Sequence, residues 1–399
     1  MTEYIRVPYG CTVHGEEEIA AVTHVLRTST QMGKHVAAME EGVATKFQKK
    51  FGVMVNSGSS ANYLAIEIAK LPPKAEVITP VLTFSTTVAP LLKNDLVPAF
   101  VDVEPGTYNI DVNQVSAMLT KQTKAMMIPN LLGNLPDWKK LRSLADQHHL
   151  LVIEDSADTL GAMIDGIPVG HYTDISTTSF YGSHVINCAG NGGMVCFNHE
   201  DQMMEAKLLR SWGRSSSLFV ESEAIENRFN VSLEGIRYDA KFVFERLGYN
   251  MEPSELGAAF GLIQLNKLDL NIKLREKWFQ RHLDFFKQYE QWFILPKQLP
   301  QSRTGWLAFP LTLNSEAPFT RTDMQIFLEE RNIQTRTVFT GNILRQPGFK
   351  TIPRRQSEGG YPNADAVMKG GILLACHHGL TDEMMTHMHE MMNLFFERV

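Results

Sequence analysis

One histidine of this sequence stands where a base could act on a bound molecule. The segment at residues 176–197, STTSFYGSHVINCAGNGGMVCF, predicts a strand, a polar loop with Ser179, Ser183 and His184, and a glycine-rich turn at 190–193. An imidazole exchanges protons near neutral pH, so His184 is a candidate general base. A single loop histidine is more often structural or solvated, and the segment alone leaves both interpretations open.

The segment SGSSAN, residues 57–62, follows a predicted strand and begins a predicted helix. Gly58 allows a tight turn, and the hydroxyl groups of Ser59 and Ser60 lie beside the free N–H groups of the helix N-terminus, which favours a phosphate ligand. Serine is also a common helix cap, so this segment alone does not distinguish a cap from a phosphate site. The chain has neither a G-x-G-x-x-G motif nor a P-loop, so a nucleotide-cofactor site is not suggested.

Asp155 lies at the end of an apolar run in LLVIEDSADTLGA, residues 150–162. A carboxylate at the end of a buried strand needs a positive partner or hydrogen bonds, because removing it from water costs free energy. A protonated pyridine nitrogen would be such a partner, and the pair would keep the ring electron-withdrawing. An aspartate that caps the following turn is an equally good interpretation of this segment.

Short β-branched runs alternate with amphipathic stretches between about residues 50 and 200. This alternation predicts an α/β domain with a largely parallel sheet, whose ligands bind beyond the carboxyl ends of the strands. The three segments described above lie at such ends. The predicted strands are 53–57, 76–80, 97–103, 124–130, 150–155 and 174–180, and the predicted helices are 59–70, 111–120 and 136–149.

The second half of the chain predicts a linking helix followed by a smaller α+β domain. The helix covers about 252–291, with a bend near residue 270. We expect a large cofactor-binding domain of residues 1–270 and a small C-terminal domain of residues 271–399. The predicted elements of the small domain are a strand at 306–313, a helix at 321–332 and a terminal helix at 381–398.

The composition is that of a globular enzyme, with 399 residues, 44% hydrophobic and 21% charged. The net charge of −6 gives no reason to expect nucleic acid or an anionic membrane as a partner. No apolar run approaches the roughly 20 residues that span a bilayer, and the N-terminus lacks the features of a signal peptide, so we expect a cytoplasmic protein. The four cysteines, Cys11, Cys188, Cys196 and Cys376, have no C-x-x-C spacing, so we expect free thiols and no metal site.

Several stretches, in order, resemble the fold-type I, DegT-like sugar aminotransferase family over nearly the whole chain. They are SGSSAN, TPVLTFSTTVAP (79–90), VDVEPGTYNID (101–111), EDSADTLGA (154–162), SFYGSHVINCAGNGG (179–193), LGYNMEPSELGAAFGLIQL (247–265) and TGNILRQPGF (340–349). The resemblance implies an α/β fold with a mostly parallel seven-stranded sheet in a large domain and a smaller C-terminal α+β domain. It also implies pyridoxal or pyridoxamine phosphate as the cofactor.

The resemblance implies roles for individual residues. Phe84 would stack on the pyridine ring, and Asp155 would pair with the ring nitrogen. Asn250, in the GYN motif, would reach the phosphate of the neighbouring subunit's cofactor, which implies a homodimer with shared active sites. The phosphate of the chain's own cofactor would be held at Gly58, Ser59, Ser60 and Ser179, and Asp158 would also belong to the cofactor site.

The sequence departs from the aminotransferases at the residue that defines their chemistry. Members that transaminate carry lysine in the segment S-F-x-x-x-K, because a primary amine must bond covalently to the cofactor. Here the segment runs from Ser179 to His184, and residues 141–206 contain no lysine. Histidine at this position, with Asp158 where aminotransferases often have glutamine, resembles the 3-dehydratases of nucleotide-linked 4-keto-6-deoxyhexoses. This subgroup implies a noncovalently held pyridoxamine phosphate.

The implied reaction removes the C3 hydroxyl of such a sugar, a step in the biosynthesis of 3,6-dideoxyhexoses such as those of lipopolysaccharide O-antigens. His184 would remove a proton from the cofactor carbon that bears the amine. Two alternatives remain open, namely an aminotransferase whose lysine comes from elsewhere and a catalytically inactive relative that binds a ligand or a partner protein. The nucleotide carrier (CDP, GDP or dTDP) and the hexose configuration do not follow from the sequence.

The relatives complete turnover in two ways. One branch uses an iron–sulfur cluster held by cysteines placed after the histidine segment, together with an external reductase. The other lacks the cluster and regenerates pyridoxamine phosphate from L-glutamate. Residues 197–375 contain no cysteine, so four thiolates cannot be assembled there, and we expect no cluster and a glutamate-recycled cofactor. The stretch TGNILRQPGF looks closer to the first branch, so a reductase-dependent enzyme stays an alternative.

Arginine side chains could pair with the sugar diphosphate or with the glutamate carboxylate. Exposed arginines are as often plain surface, so the sequence does not choose between the two interpretations. The candidate substrate-side residues are Arg210, Arg214, Tyr249, Arg336, Asn342, Arg345 and His378.

Overall fold

A seven-stranded sheet forms the centre of the molecule in the computed structural model, which describes residues 4–219 and 223–399. Its strands are β1 (Phe51–Val55), β2 (Glu76–Pro80), β3 (Val97–Val101), β4 (Thr123–Pro129), β5 (Leu151–Ser156), β6 (Ile175–Ser179) and β7 (Gly193–Phe197). The spatial order is β1-β7-β6-β5-β4-β2-β3. The pairs from β6 through β3 are parallel, and β7 runs antiparallel to both of its neighbours.

The predicted α/β class and mostly parallel sheet are confirmed. The run EVITP is a strand over the predicted residues, whereas the first strand is Phe51–Val55 rather than 53–57. It ends early because Ser57 already caps the next helix, with its Oγ accepting a hydrogen bond from the Ser60 N–H at 3.1 Å. Strand β7, which follows the glycine-rich turn, lies between β1 and β6 and pairs with both.

Thirteen α-helices occur in the described residues. They are α1 (Glu16–Thr28), α2 (Lys34–Lys46), α3 (Gly58–Ala69), α4 (Ser85–Lys93), α5 (Val112–Val115), α6 (Trp138–Gln147), α7 (Glu200–Arg210), α8 (Ile225–Arg228), α9 (Glu255–Asn266), α10 (Leu268–Phe286), α11 (Arg321–Glu329), α12 (Pro362–Gly370) and α13 (Asp382–Phe396). None of them combines the length and the apolar character needed to cross a membrane.

The predicted single helix at 252–291 is wrong, because the structure has two helices, α9 and α10, separated at Lys267. Helix α9 begins at Glu255, where Ser254 caps it by accepting a hydrogen bond from the Gly257 N–H. Lys267 ends the helix while its Nζ pairs with Glu17 and Glu18 on α1. The break therefore lies three residues before the expected bend, at a residue whose side chain pairs with α1.

A four-stranded antiparallel sheet forms the C-terminal part, with strands Phe293–Ile294, Ala308–Leu313, Gly371–Ala375 and Arg336–Thr337 in that spatial order. Short antiparallel pairings complete the structure, at Met163–Ile164, Ile167–Pro168 and Ser302–Arg303, and in the hairpin Val231–Leu233 with Ile236–Tyr238. The predicted division at 270/271 falls inside α10 and stays a prediction. Residues 1–3 and 220–222 of the predicted large domain lie outside the described residues.

Candidate active site

A cavity of about 460 Å³ opens beyond the carboxyl ends of β5 and β6 and beside the N-termini of α3 and α4. Its volume is in the range of small-molecule sites. The cavity brings together side chains from strands, helix starts and loops that are far apart in sequence. Among the residues predicted for the cofactor and the base, those that line it are Gly58, Ser59, Phe84, Asp155, Asp158, Ser179 and His184.

The start of α3 forms one wall of the cavity. Ser59 Oγ donates a hydrogen bond to Thr86 Oγ1 at 3.0 Å, which joins this helix to the start of α4. Ser60 Oγ instead donates to Asn56 Oδ1 at 2.6 Å, and Ser60 is not among the lining residues. Ser57, which caps the helix, does line the cavity. The first-turn N–H groups of such a helix favour an anionic ligand.

Gly58 is required by the close approach of α3 to β6. A Cβ atom at this position would lie 2.5 Å from Cβ of Ser179, nearer than side-chain carbons approach each other. The absence of a side chain therefore lets the helix start and Ser179 line the same wall.

Asp155 lies at the end of β5, opposite Thr177 on β6. Its Oδ2 accepts hydrogen bonds from Asn62 Nδ2 and Thr87 Oγ1, both at 2.8 Å, and its Oδ1 accepts one from the Ala157 N–H at 3.1 Å. All three donors are neutral. Burial raises the pKa of Asp155, because it disfavours the charged form, and a cationic partner would offset this effect.

Asp158 lines the cavity one turn further on, where its Oδ2 accepts a hydrogen bond from the Leu132 N–H at 2.8 Å. The pKa of Asp158 is raised to about 7, mainly by burial, with a smaller raising effect from Asp155 and lowering effects from the Leu132 N–H and from Arg275. Near neutral pH this carboxyl group can therefore be protonated more readily than an exposed aspartate, and the protonated form can donate a hydrogen bond.

His184 faces the cavity with a defined tautomer. Its Nδ1 lies 3.1 Å from the main-chain oxygen of Ser179. Because a carbonyl oxygen only accepts, Nδ1 carries the proton and Nε2 keeps its lone pair. Burial lowers the pKa of His184 to about 4, helped by the charge of Arg275. The ring is therefore a neutral proton acceptor near pH 7.

Aromatic side chains surround the mouth of the cavity. Phe84 is 52% exposed, and its ring lies edge-on to Phe339 with centroids 6.0 Å apart. Tyr181 is 58% exposed and packs edge-on to His184 at 5.9 Å. Because both rings are exposed beside the cavity that they line, they are available to contact a bound ligand.

All four predicted substrate-side arginines lie outside the cavity lining of this chain. Arg210 is buried, with its Nη1 donating to Glu40 at 2.7 Å and to the main-chain oxygen of Met54 at 2.9 Å. Arg345 forms a bidentate ion pair with Asp365. These guanidinium groups are occupied by structural partners, because their carboxylates lie close in space although distant in sequence.

The guanidinium group of Arg214 stacks over the Trp212 ring at 4.1 Å. Arg336 is exposed and lies 5.3 Å from the ring centre of Tyr9, a residue that lines the cavity. Among the predicted arginines, Arg336 is the one that the structure links to a lining residue.

The remaining predicted residues also make contacts outside the lining. Asn342 donates to Asp365 at 2.8 Å, and the Tyr249 hydroxyl donates to Glu67 at 3.1 Å. His378 Nδ1 accepts a hydrogen bond from Nε of the buried Arg275 at 3.3 Å. Asn250 is exposed at the surface next to Ser211, with which it forms an isolated bridge.

Sequence reasoning missed several residues that shape the cavity. Asn62 and Thr87, which hold Asp155, belong to the stretches SGSSAN and TPVLTFSTTVAP, so the motif carried a signal for them. Tyr9 and Phe339 come from opposite ends of the chain, where no pattern of spacing identifies them. The lining residues of the described chain include no lysine.

The profile of the DegT/DnrJ/EryC1/StrS aminotransferase family matches residues 12–393. The chain belongs to this family. The resemblance predicted from the sequence motifs is therefore confirmed, and the match spans both the seven-stranded sheet and the C-terminal sheet.

Relatives within the family include a dTDP-4-dehydro-2,6-dideoxy-D-glucose 3-dehydratase of Saccharopolyspora spinosa, which is 33% identical over 96% of this chain and 85% of its own. Among solved structures, the Escherichia coli GDP-4-keto-6-deoxy-D-mannose-3-dehydratase with bound hydrated PLP superposes with a TM-score of 0.88 at 26% identity, covering 97% of this chain and 99% of that one. A GDP-4-keto-6-deoxymannose-3-dehydratase with a trapped PLP-glutamate geminal diamine superposes with a TM-score of 0.86 at 26% identity, covering 97% and 100%.

Proposed function

We propose that this protein removes the C3 hydroxyl group of a nucleotide-linked 4-keto-6-deoxyhexose, with pyridoxamine phosphate as cofactor and His184 as the base. The observation that carries the proposal is the neutral imidazole of His184 in a cavity whose described lining contains no lysine. A family member without a lysine there cannot hold the cofactor covalently in the way that transamination uses.

The residues of the cavity fit the cofactor. Asp155 is a buried carboxylate with neutral donors, and a protonated pyridine nitrogen would be its cation. The start of α3, with Gly58 and Ser59, and the side chain of Ser179 would hold the phosphate. Phe84 is exposed at the mouth, where it would stack on the ring. When bound, the cofactor supplies the amine and the electron-withdrawing ring that this elimination requires.

His184 would move the proton. Its Nδ1–H donates to the Ser179 carbonyl oxygen, so the ring is held in one orientation with Nε2 available. Nε2 would accept the proton next to the cofactor amine and could then release it to the departing C3 hydroxyl, so that water leaves. Because the pKa of His184 is lowered to about 4, Nε2 is unprotonated at neutral pH and ready to accept.

We further propose that L-glutamate regenerates the cofactor, without an iron–sulfur cluster. Burial raises the pKa values of Cys188, Cys196 and Cys376, which disfavours the thiolate form that binds iron. Within residues 4–219 and 223–399, no group of three or more cysteine, histidine or acidic side chains is arranged to bind a metal ion. A GDP-sugar 3-dehydratase of similar fold has a trapped PLP-glutamate adduct, which supports the same route here.

A homodimer with shared active sites is part of the proposal. The stretch between residues 225 and 247 exposes a dense set of large apolar side chains, which favours burial against a second copy. Asn250 follows this stretch and lies outside its own chain's cavity, where it could reach the cofactor phosphate of the partner. The exposed residues are Ile225, Phe229, Leu233, Ile236, Tyr238, Phe242, Phe244 and Leu247.

The test is to incubate the purified protein with pyridoxamine phosphate, L-glutamate and CDP-, GDP- or dTDP-4-keto-6-deoxyhexose, and to follow the sugar by mass spectrometry. The proposal expects one of these sugars to lose a single oxygen atom. Replacement of the keto oxygen by an amino group would instead indicate an aminotransferase, and the absence of both reactions with all three sugars would contradict the proposal.

The matched variants are His184→Asn and His171→Asn. We expect the first to abolish loss of oxygen while binding pyridoxamine phosphate as before, and the second, an exposed histidine outside the cavity, to behave as wild type. Full dehydration by the first variant would show that another group is the base.

A further inference from the structure

Arg275, on helix α10, is fully buried behind the wall of the cavity. Its Nη2 donates to the main-chain oxygen of Ser183 at 3.1 Å, and its Nη1 donates to those of Trp306 and Leu307 at 3.0 and 3.2 Å. All of these acceptors are neutral. Arg275 forms no ion pair with any described residue. Burying a cation without a carboxylate partner costs free energy.

The contacts of Arg275 join two walls of the cavity. Ser183 and Leu307 both line it, and Ser183 directly precedes His184. The guanidinium group is a rigid planar fork with five N–H donors, so it fixes the relative position of the carbonyl groups that it binds. A lysine could carry the same positive charge at this place but could not reproduce the fork.

We infer that Arg275 is a positioning residue of this site, which fixes the loop that carries His184 against the segment of Trp306 and Leu307. The inference rests on the proposed function of His184. Burying a guanidinium group without an ion-pair partner costs free energy. The inference explains this cost, because the buried group holds His184 in place relative to the opposite wall of the cavity.

The same placement has an electrostatic consequence. Arg275 carries a positive charge near His184, which disfavours the imidazolium form and adds to the effect of burial on the pKa of His184. A charge of this kind in a protein interior shifts a neighbouring pKa by about one unit. Other titratable groups that line the cavity or lie near Arg275 are Tyr9, Asp155, Asp158, Tyr181, Cys376, His377 and His378.

The first test uses the cofactor-free protein, so that it does not depend on catalysis. The titration of His184 is followed by NMR with labelled histidine and assigned by its loss in His184→Asn. In Arg275→Met we expect the midpoint to rise by about one pH unit. Hydrogen exchange of the main-chain amides in the loop of Ser183 should become about tenfold faster, because the carbonyl contact is lost. An unchanged midpoint or unchanged exchange would overturn the inference.

Arg275→Met leaves several carbonyl groups without a donor and could fail to fold, so Arg275→Lys is the second variant. It keeps the charge and loses the fork. We expect a His184 titration like wild type, faster loop exchange, and a dehydration kcat about tenfold lower with KM unchanged, because the base is misplaced while substrate binding is not. Wild-type kcat and exchange in this variant would contradict positioning by Arg275.

The matched control is Arg281→Met, on the same helix, where the guanidinium group pairs with Asp382 at the surface. It should change neither the His184 titration nor kcat. If the wild-type protein removes no C3 oxygen from any sugar, the proposed function fails, whereas the NMR and exchange measurements still report on Arg275. The two failures are therefore distinguishable.

Discussion

Replacing Asp155 by asparagine should change the stability of the folded chain only slightly and its affinity for the cofactor strongly. The carboxylate accepts hydrogen bonds from Asn62 and Thr87 on Oδ2 and from the Ala157 N–H on Oδ1. In Asp155→Asn the amide oxygen can keep the two donors at Oδ2. The amide nitrogen then faces the Ala157 N–H, which loses its acceptor.

The two effects differ in size. One unsatisfied N–H costs about 1–3 kcal/mol, but removal of a buried charge offsets part of this cost, because burial already raises the pKa of Asp155. We therefore expect the cofactor-free protein to lose less than about 2 kcal/mol of unfolding free energy. Loss of the partner of a buried pyridinium costs about 3 kcal/mol or more, which weakens binding about a hundredfold.

The assays are isothermal titration of pyridoxamine phosphate into the cofactor-free protein and urea unfolding of the same sample. The control is Asp137→Asn, which alters a carboxylate that caps α6 and does not line the cavity. If Asp155→Asn bound the cofactor within threefold of wild type, the pairing of Asp155 with the ring nitrogen would be refuted. If cofactor-free Asp155→Asn failed to fold, the carboxylate would be required for the stability of the folded chain instead.

Two further predictions concern the dimer and acid stability. Mixing inactive His184→Asn and Asn250→Ala subunits should restore about a quarter of wild-type activity. About half of the dimers are then mixed, and each mixed dimer has one complete site out of two. No recovery after subunit exchange would exclude a shared site. The pKa values of His282 and His389 are lowered to about 3 and 4 by burial, so the unfolded chain binds protons that the folded chain does not, and stability falls as the pH drops from 6.5 to 4. His389→Gln keeps a donor to His282 Nδ1 and removes one titrating group. In urea unfolding, the slope of the unfolding free energy against pH should therefore be smaller by up to about 1.4 kcal/mol per pH unit. An identical slope would contradict this assignment.

The element types were largely predictable from the sequence, and one exception lies at a residue with partners distant in sequence. The β-branched runs gave the strands of the central sheet because such residues suit a buried pleated surface. The helix expected at 252–291 divides at Lys267, whose side chain pairs with α1, an element more than 200 residues earlier. Periodicity within a segment carries no information about such a partner.

The candidate site was predictable to the extent that motifs carry it. His184, Asp155, Gly58 and Ser59 were proposed from local sequence and resemblance, and the structure places all of them around one cavity. Ser60 was proposed for the phosphate but donates to Asn56 instead, because two adjacent hydroxyl groups of a helix start point in different directions. Their roles toward the cofactor stay predictions until the experiments above are done.

The sequence by itself determined the class of fold, the family and the histidine in place of lysine, because these depend on residue types and on short spacings along the chain. The tertiary structure decided which charges are free and which tautomer His184 adopts. Arg210 is engaged by Glu40, Arg275 is buried among carbonyl groups, and His184 is oriented by the Ser179 oxygen. These outcomes depend on distances between segments far apart in sequence, and such distances are fixed only when the hydrophobic core packs.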